Sequence, residues 1–433
     1  MQGVAAASGT PAVQYHRART MTPRQRVLAA IAHKEPDRLP IDQSSMRSTG
    51  ITAIAYNRLK QHLGATGGIT YLYDLIQQLA EPEQWYLDRF RVDAIDLGRA
   101  FTRPANLQPW TLPDGSAALV PQWFRPERAN GGLLVRDAEG TVIARMPAGA
   151  LYFDQACHPL SGPDGLDNYE PLAEKMGKVS WAALPAAPYE EPLTERHLEE
   201  IAAAARRLYE TTEYAISLSA GCNLLEWSQF LFGCENTWLY MAGEKKKFGM
   251  FLDRLVEHHL ETLSRLLPKV RGYIQVLVLG DDLGMQSGPQ MSRETYRELF
   301  YPRHKRIYRY AREQSGAHIF LHCCGGVYQL IPDLIDAGVE ILNPVQTSAR
   351  YMEPERLKRE FGRDVTFWGG GCDTQMVLPG ATPEQVREHV RRRLEILMPG
   401  GGFVFSQVHN VMADVPPENV VAMLDAAFEF GKY

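Results

Sequence analysis

Eight short apolar runs, separated for most of the chain by stretches with helical periodicity, are the feature that most narrows the fold of these 433 residues. The runs are Arg38–Asp42, Asp93–Leu97, Tyr214–Leu218, Ile274–Leu279, His318–His322, Val339–Leu342, Val365–Trp368 and Gly402–Phe405. Runs so short and so apolar read as strands covered on both faces, the condition of a parallel sheet. Between them, Thr194–Tyr209, Arg293–Glu313, Gln329–Ala337 and Pro383–Leu397 carry apolar residues at helical spacing. Strand and helix alternating eight times predicts an α/β fold of the (β/α)8 TIM barrel type, with functional groups at the C-terminal strand ends. A doubly wound open sheet is the alternative.

One region breaks the alternation. Between about 104 and 184 the chain is rich in Gly, Pro and Trp, with β-like pieces Gly132–Arg136 and Thr141–Ala144 around a turn at Asp137–Gly140. This predicts a β-rich insertion between the second and third barrel strands, covering the barrel mouth. Trp110, Trp123 and Tyr152 within it would offer an apolar wall to a ring-bearing substrate, or ordinary core. At the other end, Thr22-Pro23-Arg24-Gln25 opens a capped helix. Residues 1–20 are expected to be a flexible leader and 21–433 the barrel.

Bulk properties narrow the function. A net charge of −5, with Lys and Arg scattered, argues against nucleic acid as a partner. No apolar stretch is long enough for a membrane span, and six cysteines are too few for a disulfide scaffold, so a cytoplasmic protein is expected. Exposed barrel helices often pair two copies, which leaves a homodimer open.

The chemistry concentrates in Phe320-Leu321-His322-Cys323-Cys324-Gly325-Gly326 and Gly369-Gly370-Gly371-Cys372-Asp373. Side chains alternate along a strand, so His322 and Cys324 face one side while Cys323 faces the other. Cys372 follows a later strand. An imidazole and two thiolates suit zinc, and three protein ligands leave a position open for substrate. The metal ligands expected are therefore His322, Cys324 and Cys372. Other polar groups fall at strand ends. Asp281 and Asp282 are expected in catalysis or as hydrogen-bond partners of a ligand, with a helix or turn cap as the plain alternative. His409 is expected at the same mouth, in catalysis or substrate contact or as a structural histidine; Glu226 near the metal or substrate, or as a surface helix carboxylate; and Arg47 on a substrate carboxylate or phosphate, or on a neighbouring acid.

The residues Met21–Ala30, Glu35–Pro40, Gly280–Gly284, Leu342–Gln346, Trp368–Gln375 and Pro416–Asn419 resemble the uroporphyrinogen decarboxylase superfamily. One branch of that superfamily removes carboxylates from a tetrapyrrole without a metal and carries two arginines after the first strand. This chain has Met46-Arg47-Ser48-Thr49-Gly50 there, with one arginine. A polyanionic substrate wants several cations, which counts against a metal-free decarboxylase, the alternative function. The other branch holds zinc-dependent methyltransferases marked by His-x-Cys and a distant Cys. That resemblance implies methyl transfer between a small molecule (a thiol, methoxy or methylamine compound, or folate) and a corrinoid carried by a partner protein, since no Asp-x-His-x-x-Gly corrinoid motif occurs here. The ligand order also resembles cobalamin-independent methionine synthase, whose intervening acidic ligand would fall at Gln346. Glutamine ligates zinc weakly, so Gln346 is expected beside the metal or among its supporting residues. A third class, a non-catalytic barrel serving as a binding subunit, would bind zinc without methyl transfer.

Overall fold

Seven of the eight apolar runs become parallel strands because each is covered on both faces. They are β1 (Ala94–Asp96), β2 (Ala215–Gly221), β3 (Val276–Gly280), β4 (His318–His322), β5 (Ile341–Asn343), β6 (Thr366–Trp368) and β7 (Phe403–Val404). The computed structural model describes residues 20–65 and 67–433. The expected leader therefore lies outside the described residues except for Thr20. Each strand pairs in parallel with its neighbour in the chain. Helices such as Glu195–Thr211, Lys245–Val270 and Tyr301–Ser315 connect them. The sheet curls: Ala94 and Val404, from its two edges, share one buried cluster with Val276, Phe320, Ile341 and Trp368. Val27, Ala30 and Ile31, from the helix Pro23–Ile31, complete that cluster. This mixed α/β arrangement fits a TIM-like fold.

The first run, Arg38–Asp42, forms an isolated bridge where a strand was expected. Ile41 pairs in parallel with Phe405, while the Asp93 amide donates to the Ile41 carbonyl at 2.7 Å. Pro40 has no N–H, so it can only accept, from Phe405 at 2.9 Å. The Ile41 N–H is taken by the Asp93 carboxylate at 2.9 Å. The segment thus touches both β1 and β7 without a regular ladder.

The helix expected over Arg293–Glu313 is also broken, into Arg293–Thr295, a π-turn at Tyr296–Phe300 and a helix at Tyr301–Ser315. Pro302 lies at that junction and offers no N–H to the preceding turn. Between β1 and β2 the chain forms an antiparallel pair, Leu107–Thr111 with Ala117–Pro121, and a separate four-stranded antiparallel sheet. Gly132–Arg136 pairs there with Val142–Met146, and the Asp137 carboxylate accepts from the amides of Glu139 and Thr141 in the turn. Among the described residues no helix is long and apolar enough to cross a membrane.

Candidate metal centre

Register brings the centre together. Gly280, His322 and Asn343 are direct neighbours at the ends of β3, β4 and β5. Cys324 follows two residues after His322, and its Sγ lies 3.4 Å from His322 Nε2. Cys323 turns the other way, into the core, where its sulfur accepts the Leu283 amide. His409, in the loop after β7, brings its ring centroid to 5.4 Å from that of His322. One ligand atom each from His322, Cys324 and His409 lies within 4.8 Å of the others.

The imidazole of His322 is oriented from behind. The Asn343 side-chain N–H donates to the Trp368 carbonyl at 2.8 Å, which leaves its Oδ1 facing His322 Nδ1 at 2.7 Å. Ser48 donates to the same Oδ1 at 2.8 Å. An acceptor on Nδ1 puts the proton there, so the lone pair of Nε2 faces the cysteine. Neither Asn343 nor Ser48 stood out in the sequence. Asn343 is an ordinary strand-end polar residue until its neighbours on β4 and β6 are known.

Carboxylates line the other side. Asp282 accepts the Cys324 amide at 2.7 Å and lies 3.6 Å from His322 Nε2. Glu226 accepts the Asp282 amide at 3.0 Å through Oε2, which also takes the Asn223 side-chain N–H. Burial, then the charges of Asp282 and Asp281, hold the Glu226 carboxyl well above the usual range. Burial followed by Asp282 raises the Cys324 thiol likewise. His409 moves the opposite way, down to about 3, through burial and the neighbouring His322. Its backbone lies in the left-handed region, at φ +66°.

Several expected residues stand elsewhere. Asp281 is fully buried. Its carboxylate accepts the amides of Leu224, Leu225 and Glu226 and a contact from His304 Nε2, all at 2.9–3.1 Å. It caps the helix Leu225–Phe232 and so positions Glu226, in place of the catalytic role expected. Cys372 is outside the ligand group. Gly369 and Gly370, both at positive φ, turn the backbone before it, and its carbonyl takes the Val408 amide at 2.9 Å. Its sulfur is buried, with the Asp373 carbonyl 3.8 Å away. Gln346 accepts the Gly325 amide at 2.8 Å, steadying the turn after Cys324. Arg47 is paired with Asp74 at 2.6 Å and lies over the Trp181 ring.

The donor set fits a divalent soft-to-borderline cation such as zinc. Among the described residues no Lys or Arg lies within 4 Å of the carboxylates of Glu226, Asp281 or Asp282, whose basic contacts are histidines alone. The half-buried carboxylates of Glu226 and Asp282 and the Cys324 thiol therefore lie together without a fixed positive charge, an arrangement that a cation would relieve.

Comparison with known proteins agrees with this architecture. Residues 188–430 match the family described as uroporphyrinogen decarboxylase (URO-D). No curated protein matches the chain in sequence. Among solved structures the chain is similar to a methyltransferase from Methanosarcina mazei, at 14% identity and a TM-score of 0.54, over 95% of this chain and 99% of that one. It is also similar to native xylanase 10B from Thermotoga maritima, at 12% identity and a TM-score of 0.34, over 61% of this chain and 93% of that one. Because the family match spans more than half of the sequence and includes β2 to β7 with the centre they build, the chain belongs to the uroporphyrinogen decarboxylase family.

Proposed function

We propose that this protein is a zinc-dependent methyltransferase that moves a methyl group between a small molecule and a corrinoid protein docked over the barrel mouth. The observation that carries the reading is the convergence of His322, Cys324 and His409 within 4.8 Å, with His322 Nε2 turned inward by Asn343. The fold shared with the Methanosarcina mazei methyltransferase supports it. Zinc bound there would lower the proton affinity of an acceptor thiol or polarise a bond to a methylated heteroatom.

The chain's own residues prepare that step. Asn343 keeps the His322 proton on Nδ1. Asp282 fixes the Cys324 backbone and Gln346 the residue after it. Glu226, whose Oε2 takes two N–H donors, is shifted toward its protonated form by burial and the neighbouring aspartates, which suits it to give a proton to a departing heteroatom. Arg47 argues against the metal-free decarboxylase, since its charge is already committed to Asp74.

Elemental analysis of protein purified without added metal tests the reading, with about one zinc per chain expected. Cys324→Ala should lose it. His409→Ala and Cys372→Ala separate the third donor gathered here from the one expected from sequence. Metal-free wild-type protein, or zinc retained in Cys324→Ala, overturns the proposal. Methyl transfer assayed with corrinoid proteins would then separate an enzyme from a binding subunit.

A further inference from the structure

A second cluster of polar groups lies apart from the cysteine centre, at the C-terminal end of β1. There Ser44, Tyr73, Glu81, Asp96 and Arg99 line a small cavity with about 10 Å³ open to the centre of a water-sized group, room for one such group. The hydroxyls of Ser44 and Tyr73 are buried and have no hydrogen-bond partner. Ser44 is only 5% exposed and holds a left-handed backbone at φ +69°, a conformation that costs a serine free energy.

The two carboxylates are half-used. Glu81 accepts the Thr102 hydroxyl through Oε2 at 2.7 Å, and Asp96 accepts the Gly98 amide through Oδ1. Among the described residues neither has an ion-pair partner within 4 Å. Arg99 donates instead to the Pro82 carbonyl at 2.7 Å, and Arg47 is held by Asp74. Burial, opposed by the Gly98 amide and the more distant Arg47 and Arg99 and aided by Glu81, lifts Asp96 to about 7, while burial raises Glu81 against the charge of Arg99. Arg99, which lines the cavity, and Arg47 act on these acids from beyond ion-pair distance.

The group that fits this cavity best brings positive charge to two carboxylates without an ion-pair partner, offers N–H donors to be shared among the carboxylate and hydroxyl oxygens, and is no larger than a water molecule at its head. An anion or a bulky quaternary ammonium meets none or only the first of these. We propose that the cavity binds the protonated primary amine of a small molecule, with Glu81 and Asp96 as counter-ions and Ser44 and Tyr73 as hydroxyl acceptors. β1 and β4 are strands of one parallel sheet, so their C-terminal ends lie on the same rim. An amine held here belongs to a molecule that reaches the barrel mouth. The assignment stands independently of the zinc reading.

Calorimetric titration with n-propylammonium and with tetramethylammonium chloride tests it, on wild type, Glu81→Gln and Ser44→Ala. Wild type should bind propylammonium at least about tenfold more tightly than tetramethylammonium. Glu81→Gln should weaken propylammonium about tenfold or more, and Ser44→Ala by roughly two- to tenfold. Thermal melting of the same samples shows whether each variant is folded, and Ser44→Ala carries the test if Glu81→Gln is not. Equal affinity for the two cations, no saturable propylammonium binding to folded wild type, or unchanged affinity in the folded variants overturns the proposal. Zinc content measured in parallel keeps its failure distinct from failure of the metal centre.

Discussion

Asn343 lies between Trp368 and His322, and one amide orientation alone serves both. Its N–H₂ must face the Trp368 carbonyl, so its oxygen must face His322 Nδ1. Removing that acceptor frees the imidazole to rotate and to change tautomer. Asn343→Ala is therefore expected to weaken zinc binding by about 10- to 100-fold, measured by competition with a chromophoric chelator. Affinity equal to wild type would show that the supporting hydrogen bond is idle. His322 and Cys324 were legible as a pair because strand alternation is a local rule. The supporting amide was not, because its role depends on a carbonyl from β6.

At the scale of elements, the turn after Cys324 is pressed against the hairpin Gly284–Pro289. A Cβ on Gly325, which sits at φ +85°, would fall 2.3 Å from the Gly284 carbonyl carbon. Gly325→Ala should destabilise the protein by more than about 1 kcal/mol and loosen the metal centre. Urea unfolding and chelator competition read the two effects. The helix Lys245–Val270 reaches the same region through His259, whose Nε2 lies 3.1 Å from the Asn223 carbonyl. Burial lowers His259 from 6.5 to about 4. Between these values the unfolded chain holds the extra proton. Its contribution is therefore present above 6.5 and is lost as pH falls toward 4. His259→Gln should remove roughly 3 kcal/mol or less of the rise in stability over that window, followed by urea unfolding at a series of pH values. An unaltered slope would assign the pH dependence to other groups.

For the molecule as a whole, the seam between β1 and β7 is closed by a charged network. Asp93 is fully buried and accepts from Arg26, from Arg38 at 2.7 Å and from the Ile41 amide at 2.9 Å. Asp93→Asn leaves two guanidinium groups facing a neutral amide and should cost about 3–5 kcal/mol, measured as a lowered unfolding free energy; a change below about 1 kcal/mol would mean that the seam holds by packing. Runs of apolar residues determined seven strands and their order, because burial on both faces leaves an unmistakable local pattern. The same local rules announced the first segment as a strand, yet Pro40 and the Asp93 carboxylate, distant in the chain, reduced it to a bridge. Glycines near Cys372 were visible, but the direction in which they turn the backbone was not, and that turn left His409 beside His322 and Cys324. Sequence determined which groups reach the rim, since strand period and length are local. Tertiary structure alone decided which of them meet, since distances between loops depend on how every strand is registered against the next.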